Sequence, residues 1–199
     1  MSSRLPTTVT PSHYALTYTS LNLLAPPYEF TGALAVTVAV SELTEAVTLH
    51  CLDLSVDSCS LDGDNVNRIV YDVANQSVTL TFSAPLAPTP PGSTSTLTFT
   101  FTGHLNDSMR GLYRSTYTSL TGQQRIMATT QFEATDARRA FPCWDEPALK
   151  ATFELTVTIP LLDGRNVLAV SNTPVSETAE FVEGESRFKT YTFEDTPKM

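Results

Sequence analysis

Along most of the chain, apolar residues alternate with polar or small residues, and this period of two is typical of half-buried β-strands. The clearest examples are residues 77–82, Ser-Val-Thr-Leu-Thr-Phe, and residues 96–101, Thr-Leu-Thr-Phe-Thr-Phe. Polar residues, mostly threonine, occupy one face of each run, and valine, leucine or phenylalanine the other. A proline-rich stretch at residues 85–92 separates the two runs and is predicted to be a loop between strands of a common sheet.

The same alternation predicts further strands before and after this pair. They cover residues 13–23, 30–40, 46–54, 68–71, 125–130, 152–160, 166–171 and 187–193. Glycine, asparagine and aspartate at residues 60–65 predict a turn. The best helical candidate is a short turn at residues 136–139, which the side chain of Thr135 or Asp136 would cap. Because no segment shows a long helical repeat, we predict an all-β fold, a sandwich or curved sheet with little helix.

Composition agrees with a globular β domain and excludes several classes of partner. The 199 residues are 41% hydrophobic and 17% charged, which suits one sizeable domain, expected to span residues 1–199. A net charge of −9 leaves no basic surface for nucleic acid or for an anionic membrane. The start of the chain has no signal or transit pattern, and no stretch reaches the apolar length of a membrane span. We therefore expect a cytoplasmic protein.

The usual catalytic motifs are absent from the sequence. It contains no HExxH, GxSxG, GxxxxGK[ST] or GxGxxG pattern. Its histidines have no partner at helical spacing and its cysteines form no CxxC pair, so we predict neither a metal site nor a disulfide framework. These residues are His13, His50, His104, Cys51, Cys59 and Cys143. Cys143 has no activating base nearby in the sequence, so a packing role is favoured over a nucleophilic one.

One stretch, residues 128–153, concentrates charged, amide and aromatic groups in a chain of threonine-rich strands. A strand ending at residues 131–133 would place the side chains of Gln131 and Glu133 on one face and that of Phe132 on the other. An amide and a carboxylate on one face are suited to binding an ammonium group. Gln131 and Glu133 are therefore candidate binding residues.

A purely structural interpretation of the same stretch is also open. Glu133 would pair with Arg138 or Arg139, and the other arginine would be neutralised by the carboxylates of a proline-bounded loop. Those carboxylates belong to Asp145 and Glu146. From the residue types alone, this interpretation is the more favoured of the two.

Residues 131–147 read Q-F-E-A-T-D-A-R-R-A-F-P-C-W-D-E-P. This run closely resembles Q-F-E-x-T-x-A-R-x-A-F-P-C-x-D-E-P, which precedes the catalytic domain in the gluzincin zinc aminopeptidases, the family of aminopeptidase N and puromycin-sensitive aminopeptidase. The chain is also similar to the family, in the same order, at residues 4–6 with 11–14, 28–32, 103–107 with 109–115, and 190–199. The resemblance thus covers essentially the whole chain.

The resemblance implies a saddle-shaped, sandwich-like β domain with antiparallel and mixed sheets that caps the active site of a zinc aminopeptidase. In the family, the glutamate of Q-x-E binds the substrate's α-amine and the glutamine lines the pocket for the first side chain. These roles map onto Glu133 and Gln131. The implied partners are a peptide substrate and the protein's own downstream catalytic domain, which carries the zinc. The other matching motif residues are expected to support this site, namely Arg138, Arg139, Phe141, Trp144, Asp145 and Glu146.

The chain stops before the family's GxMEN motif, its HExxH with a downstream glutamate, and its transition-state tyrosine. We therefore expect an excised part of a longer enzyme, with no catalytic residue and no metal ligand of its own, and inactive when isolated. The alternative is a stand-alone, non-catalytic β-sandwich module that binds peptides or proteins. A zinc domain downstream of Met199 would distinguish the two.

Overall fold

The computed structural model describes residues 4–161 and 167–199, which form thirteen strands and one 3-10 helix, Ala137–Arg139. The strands are β1 (Val9–Leu21), β2 (Glu29–Val40), β3 (Thr44–His50), β4 (Leu54–Leu61), β5 (Asp64–Asn65), β6 (Arg68–Asp72), β7 (Ser77–Leu86), β8 (Ser95–His104), β9 (Gly111–Thr118), β10 (Gln124–Gln131), β11 (Thr152–Pro160), β12 (Val175–Glu183) and β13 (Ser186–Phe193). The predicted all-β class is confirmed. No helix within these ranges is long and apolar enough to cross a membrane.

The strands form three sheets. The largest has the order β12-β13-β11-β1-β2-β8-β4-β5, and the smaller ones are β3-β7-β6 and β10-β9. Strands β1 and β11 pair in parallel, whereas the other described pairs are antiparallel. The predicted combination of antiparallel and mixed sheets is therefore confirmed, and the saddle shape stays a prediction. The prediction that the strands on either side of the proline-rich stretch share a sheet is wrong, because β7 lies in the three-stranded sheet and β8 in the eight-stranded one.

The core follows directly from the alternation in the sequence. In β2, every second residue from Phe30 to Val40 is buried, and its neighbours face the outside of the sheet. Large side chains from three adjacent strands, Tyr14, Phe30 and Phe101, are fully buried. Because each of these strands buries one apolar face, the eight-stranded sheet is stabilised mainly by hydrophobic burial.

Most of the predicted strands are present with boundaries shifted by a few residues. There are two exceptions. The first is residues 46–54, where β3 ends at His50 and a new strand, β4, begins at Leu54. The second is residues 166–171. Asn166 lies outside the described residues, and residues 167–171 form no strand, so that prediction is wrong. Val167 and Ala169 pack instead against a small apolar cluster of Ile159, Tyr191 and Phe193.

The helical turn predicted at residues 136–139 is confirmed as the 3-10 helix, but the predicted cap is wrong. Asp136 occupies the capping position without a side-chain hydrogen bond to the helix amides. Its carboxylate instead accepts a hydrogen bond from Nε of Arg139 at 2.8 Å. The guanidinium, a charged donor, thus takes the oxygen that a free amide would otherwise use.

Candidate functional site

The candidate binding residues lie where β10 leaves its sheet. Gln131 is the last residue of β10 and pairs with Gly111 at the start of β9. The strand ends at Gln131, before Glu133, because the carbonyl of Phe132 accepts the N–H of Asp136 at 2.9 Å, which bends the chain into a turn. The Glu133–Ala134 peptide bond in this turn is cis. Gln131 and Glu133 are exposed, whereas Phe132 between them is half-buried.

An aromatic cluster fixes this turn to the core. The ring of Phe132 meets the ring of Phe141 edge-on, with centroids 6.0 Å apart. Phe141 in turn contacts Tyr14 and Phe153, whose rings stack at 4.7 Å. Since Tyr14 and Phe153 belong to the parallel pair β1–β11, the position of the Glu133 turn is set by the main sheet.

Arg138 is the buried charge of the motif. Its side chain is only 8% exposed, and its Nε lies 2.8 Å from Oδ2 of Asp145. Nη1 donates to Oε1 of Gln76 at 3.0 Å, and Nη2 donates to the backbone carbonyl of Asp145 at 3.4 Å. The pairing of one arginine with Asp145, expected from the structural interpretation, is therefore present.

The remaining motif charges pair differently from that interpretation. Arg139 forms ion pairs with Asp136 and with Asp53. Glu146 accepts the backbone N–H of Leu5 at 2.7 Å. Among the described ion pairs, neither Glu133 nor Glu146 contacts an arginine, so the expected Glu133–arginine pair is wrong. The arginines have other partners, and the Glu133 carboxylate is left facing solvent.

His50 supports the motif from the neighbouring sheet. Its backbone exchanges two hydrogen bonds with Cys143, at 2.8 and 3.0 Å. Its Nδ1 accepts the N–H of Asp145 at 3.2 Å, a role that requires the unprotonated nitrogen. Burial, and then the charge of Arg138, lower the pKa of His50, while Asp145 and Glu146 partly oppose them. This histidine therefore acts as a neutral structural acceptor.

A shallow cleft of about 310 Å³ lies beside this cluster, lined by Arg4, His50, Thr135, Arg138, Asp145, Glu146, Pro147 and Ala148. Gln131 and Glu133 are not among its lining residues. Cys143 is buried, and burial raises the pKa of its thiol well above the usual value. A thiol in this state is a poor nucleophile, in agreement with a packing role.

Two of the three histidines, the residue type that most often binds zinc, already have partners within the domain. Nδ1 of His13 lies 2.7 Å from the Thr152 hydroxyl, and His50 is engaged with Asp145. Within residues 4–161 and 167–199, no group of three or more His, Cys, Asp or Glu side chains could hold a metal ion. These residues therefore do not fit zinc.

Comparison of the sequence with known proteins identifies the family. The sequence pattern of the Peptidase M1 N-terminal domain matches residues 10–199. Aminopeptidase 2 of Candida albicans is 38% identical over 98% of the chain, and the puromycin-sensitive aminopeptidase of Caenorhabditis elegans is 35% identical over 98%. An aminopeptidase N of Acetobacter pasteurianus is 38% identical, also over 98%.

The fold and the motif thus define an amino-terminal β domain of a peptidase. The chain belongs to the peptidase M1 family and matches its N-terminal domain, which confirms the predicted family. It spans 20% of the length of the Candida and Caenorhabditis proteins and 51% of the Acetobacter protein.

Proposed function

We propose that this chain is the substrate-binding β domain of a zinc metallo-aminopeptidase that removes amino-terminal residues from peptides. Glu133 binds the protonated α-amine of the peptide, and Gln131 lines the pocket for the first side chain. No residue of this chain takes part in bond cleavage. The zinc and the catalytic domain belong to the rest of a longer protein. The cytoplasmic location stays a prediction from the sequence.

The observation that supports this proposal best is the state of Glu133. It is exposed at the end of β10, and the nearby arginines are engaged with other carboxylates. A carboxylate in this state is available to an ammonium group, and a charge-assisted hydrogen bond is among the stronger polar contacts. The turn that carries it is held by Phe132 and by the Arg139–Asp136 ion pair. These contacts hold the turn that carries Glu133, while its carboxylate stays accessible to a substrate.

Binding the amine explains an exopeptidase better than an endopeptidase. A peptide held by its first ammonium group can present only its first peptide bond at a fixed distance from the anchor. When bound in the catalytic domain, zinc would polarise the carbonyl of that peptide bond and activate a water molecule for hydrolysis. The described residues do not fit zinc, so the domain's own part in the reaction is to bind and orient the peptide.

The proposal is tested by comparing the 199-residue chain with the longer protein that carries it. Both are assayed for zinc content and for hydrolysis of an aminoacyl substrate, with and without added zinc. We expect one bound zinc and activity in the longer protein, and neither in the 199-residue chain. Hydrolysis by the 199-residue chain would contradict the proposal. A longer protein without zinc or activity would favour the non-catalytic binding module instead.

A further inference from the structure

The cleft beside His50 has no part in the proposed function, because neither Gln131 nor Glu133 is among its described lining residues. Its volume of about 310 Å³ lies at the lower end of the range of small-molecule sites, about 300 to 1,000 Å³. Its walls come from three separate parts of the chain, namely Arg4, the end of β3 and residues 135–148. Such a site exists only in the folded domain.

His50 presents a fixed hydrogen-bond donor to this cleft. The residue is only 6% exposed, and its Nδ1 accepts the N–H of Asp145 at 3.2 Å. A neutral imidazole that accepts through Nδ1 carries its proton on Nε2. Among the described residues, Nε2 has no hydrogen-bond partner, yet it is not sealed from solvent as Nε1 of Trp144 is. The cleft therefore contains a buried histidine whose N–H lacks a partner.

Two further donors line the cleft. The hydroxyl of Thr135 and the guanidinium of Arg4 are exposed, and neither has a partner within residues 4–161 and 167–199. The N–H of Leu5 donates to Oε1 of Glu146 at 2.7 Å, which fixes the chain next to Arg4. Together with Nε2 of His50, these groups offer three donors, one of them positively charged, to an anionic group.

Acceptors line the same cleft. Oδ2 of Asp145 is bound to Nε of Arg138 at 2.8 Å, and Oε1 of Glu146 is bound to the N–H of Leu5. The second oxygen of each carboxylate has no partner in the part of the chain that the structure describes. Because Arg138 neutralises Asp145, the uncompensated charges of the cleft are one negative, on Glu146, and one positive, on Arg4.

We propose that this cleft binds a free α-amino acid with a small side chain. The ligand's carboxylate accepts hydrogen bonds from Nε2–H of His50, the Thr135 hydroxyl and the Arg4 guanidinium. Its ammonium group pairs with Glu146 and with the second oxygen of Asp145. A ligand with a single charge leaves either Arg4 or Glu146 without a counter-charge, whereas a zwitterion compensates both.

The shape of the cleft and its place in the chain suit this ligand. Pro147 and Ala148 supply apolar lining for a small side chain. A connection to the reaction rests on the proposed function, since an aminopeptidase releases free amino acids. Thr135 follows Glu133 by two residues, and Arg138 lies in the 3-10 helix that follows. A bound amino acid therefore contacts the same turn that carries the proposed substrate anchor.

Titration of the 199-residue chain with L-alanine, followed by NMR of ¹⁵N-labelled histidine, tests the inference. We expect a saturable shift of the His50 Nε2 resonance with a dissociation constant of roughly 1 mM. Propionate and ethylamine each carry only one of the two charges, so they should bind about tenfold more weakly. The resonances of His13 and His104, which do not line the cleft, should stay unchanged.

Two variants assign the binding to this cleft. Glu146→Gln keeps an oxygen for the N–H of Leu5 but loses the charge, and Thr135→Val removes the hydroxyl with little change of shape. Each should weaken L-alanine binding by about tenfold. The matched control is Glu133→Gln, which removes a carboxylate outside the cleft and should leave binding unaltered.

The inference is overturned if L-alanine gives no saturable shift at His50 or if propionate binds equally well. It is also overturned if the Glu133 variant loses binding, since the amino acid then occupies the proposed amine anchor. Unaltered binding in the Thr135 variant contradicts it even where the Glu146 variant fails to fold. The titration involves neither zinc nor hydrolysis, so its failure is distinguishable from failure of the proposed function.

Discussion

At the scale of single residues, Arg138 is the side chain that connects the motif to the rest of the domain. It is buried, and its guanidinium joins three parts of the chain: its own 3-10 helix, the loop that carries Asp145, and Gln76 in the turn before β7. Removing the guanidinium leaves the Asp145 carboxylate, 14% exposed, without its ion pair. An unpaired carboxylate in such surroundings is costly.

We therefore expect Arg138→Met to lower the free energy of unfolding of the 199-residue chain by about 3 kcal/mol. The exposed pair between Arg187 and Glu180, at 3.3 Å, provides the matched control. Arg187→Met should cost less than about 1 kcal/mol, because solvent screens that pair. Urea denaturation of the two variants measures both values. Equal losses in the two variants would contradict the structural role given to Arg138.

Residue-scale prediction from the sequence identified one local ion pair and missed the contacts between distant residues. The pair Arg138–Asp145 spans seven residues and was expected, whereas Gln76 and Asp53 contact the two arginines from 62 and 86 residues away. No sequence signal marks those contacts. The expected Glu133–arginine pair also failed, because Arg139 pairs instead with Asp136, three residues away, and with the distant Asp53.

At the scale of elements, the turn between β10 and the 3-10 helix depends on Gly111. This residue has a φ of +65°, and an added Cβ would approach Cβ of Arg139 at 2.5 Å and the carbonyl oxygen of Asp136 at 3.2 Å. Only glycine allows β9 to begin so close to the helix that follows Glu133. Both the backbone conformation and the packing therefore select glycine here.

Gly111→Ala should destabilise the chain by about 2–3 kcal/mol, from left-handed backbone strain together with overpacking. Gly122 offers a matched control, because its φ is +78° and nothing lies within 4 Å of an added Cβ. Gly122→Ala should cost only about 1 kcal/mol, the backbone part alone. Thermal unfolding of both variants measures the difference. A Gly111 variant no less stable than the Gly122 variant would refute the packing argument.

Strands were predictable where one face is buried and the alternation is unbroken, as in β2, β7 and β8. Strand β4 escaped prediction because a register shift between Val56 and Ser58 breaks the alternation. Strand β12 is exposed at every position, so it has no buried face that would require apolar residues at alternate positions. Residues 167–171 show the opposite failure, since apolar residues there pack on a cluster without pairing as a strand.

At the scale of the whole molecule, the sequence pattern indicated the all-β class but not the topology. The parallel pairing of β1 with β11 joins residues about 140 positions apart, for example His13 with Thr152. Periodicity says nothing about which strands adjoin. This pairing brings Tyr14 against Phe153 and so supports the Glu133 turn, which means that the candidate site depends on long-range folding.

The kinetics of a Glu133→Gln variant of the longer protein test the central claim most directly. The matched control is Glu45→Gln, an exposed carboxylate on β3. We expect Glu133→Gln to lower kcat/KM for a free-amine substrate by at least about 30-fold, equivalent to about 2 kcal/mol of transition-state binding, with zinc content unchanged. The Glu45 variant should match the unaltered enzyme. A Glu133 variant with unaltered kcat/KM would contradict the role of Glu133 as the anchor of the substrate amine.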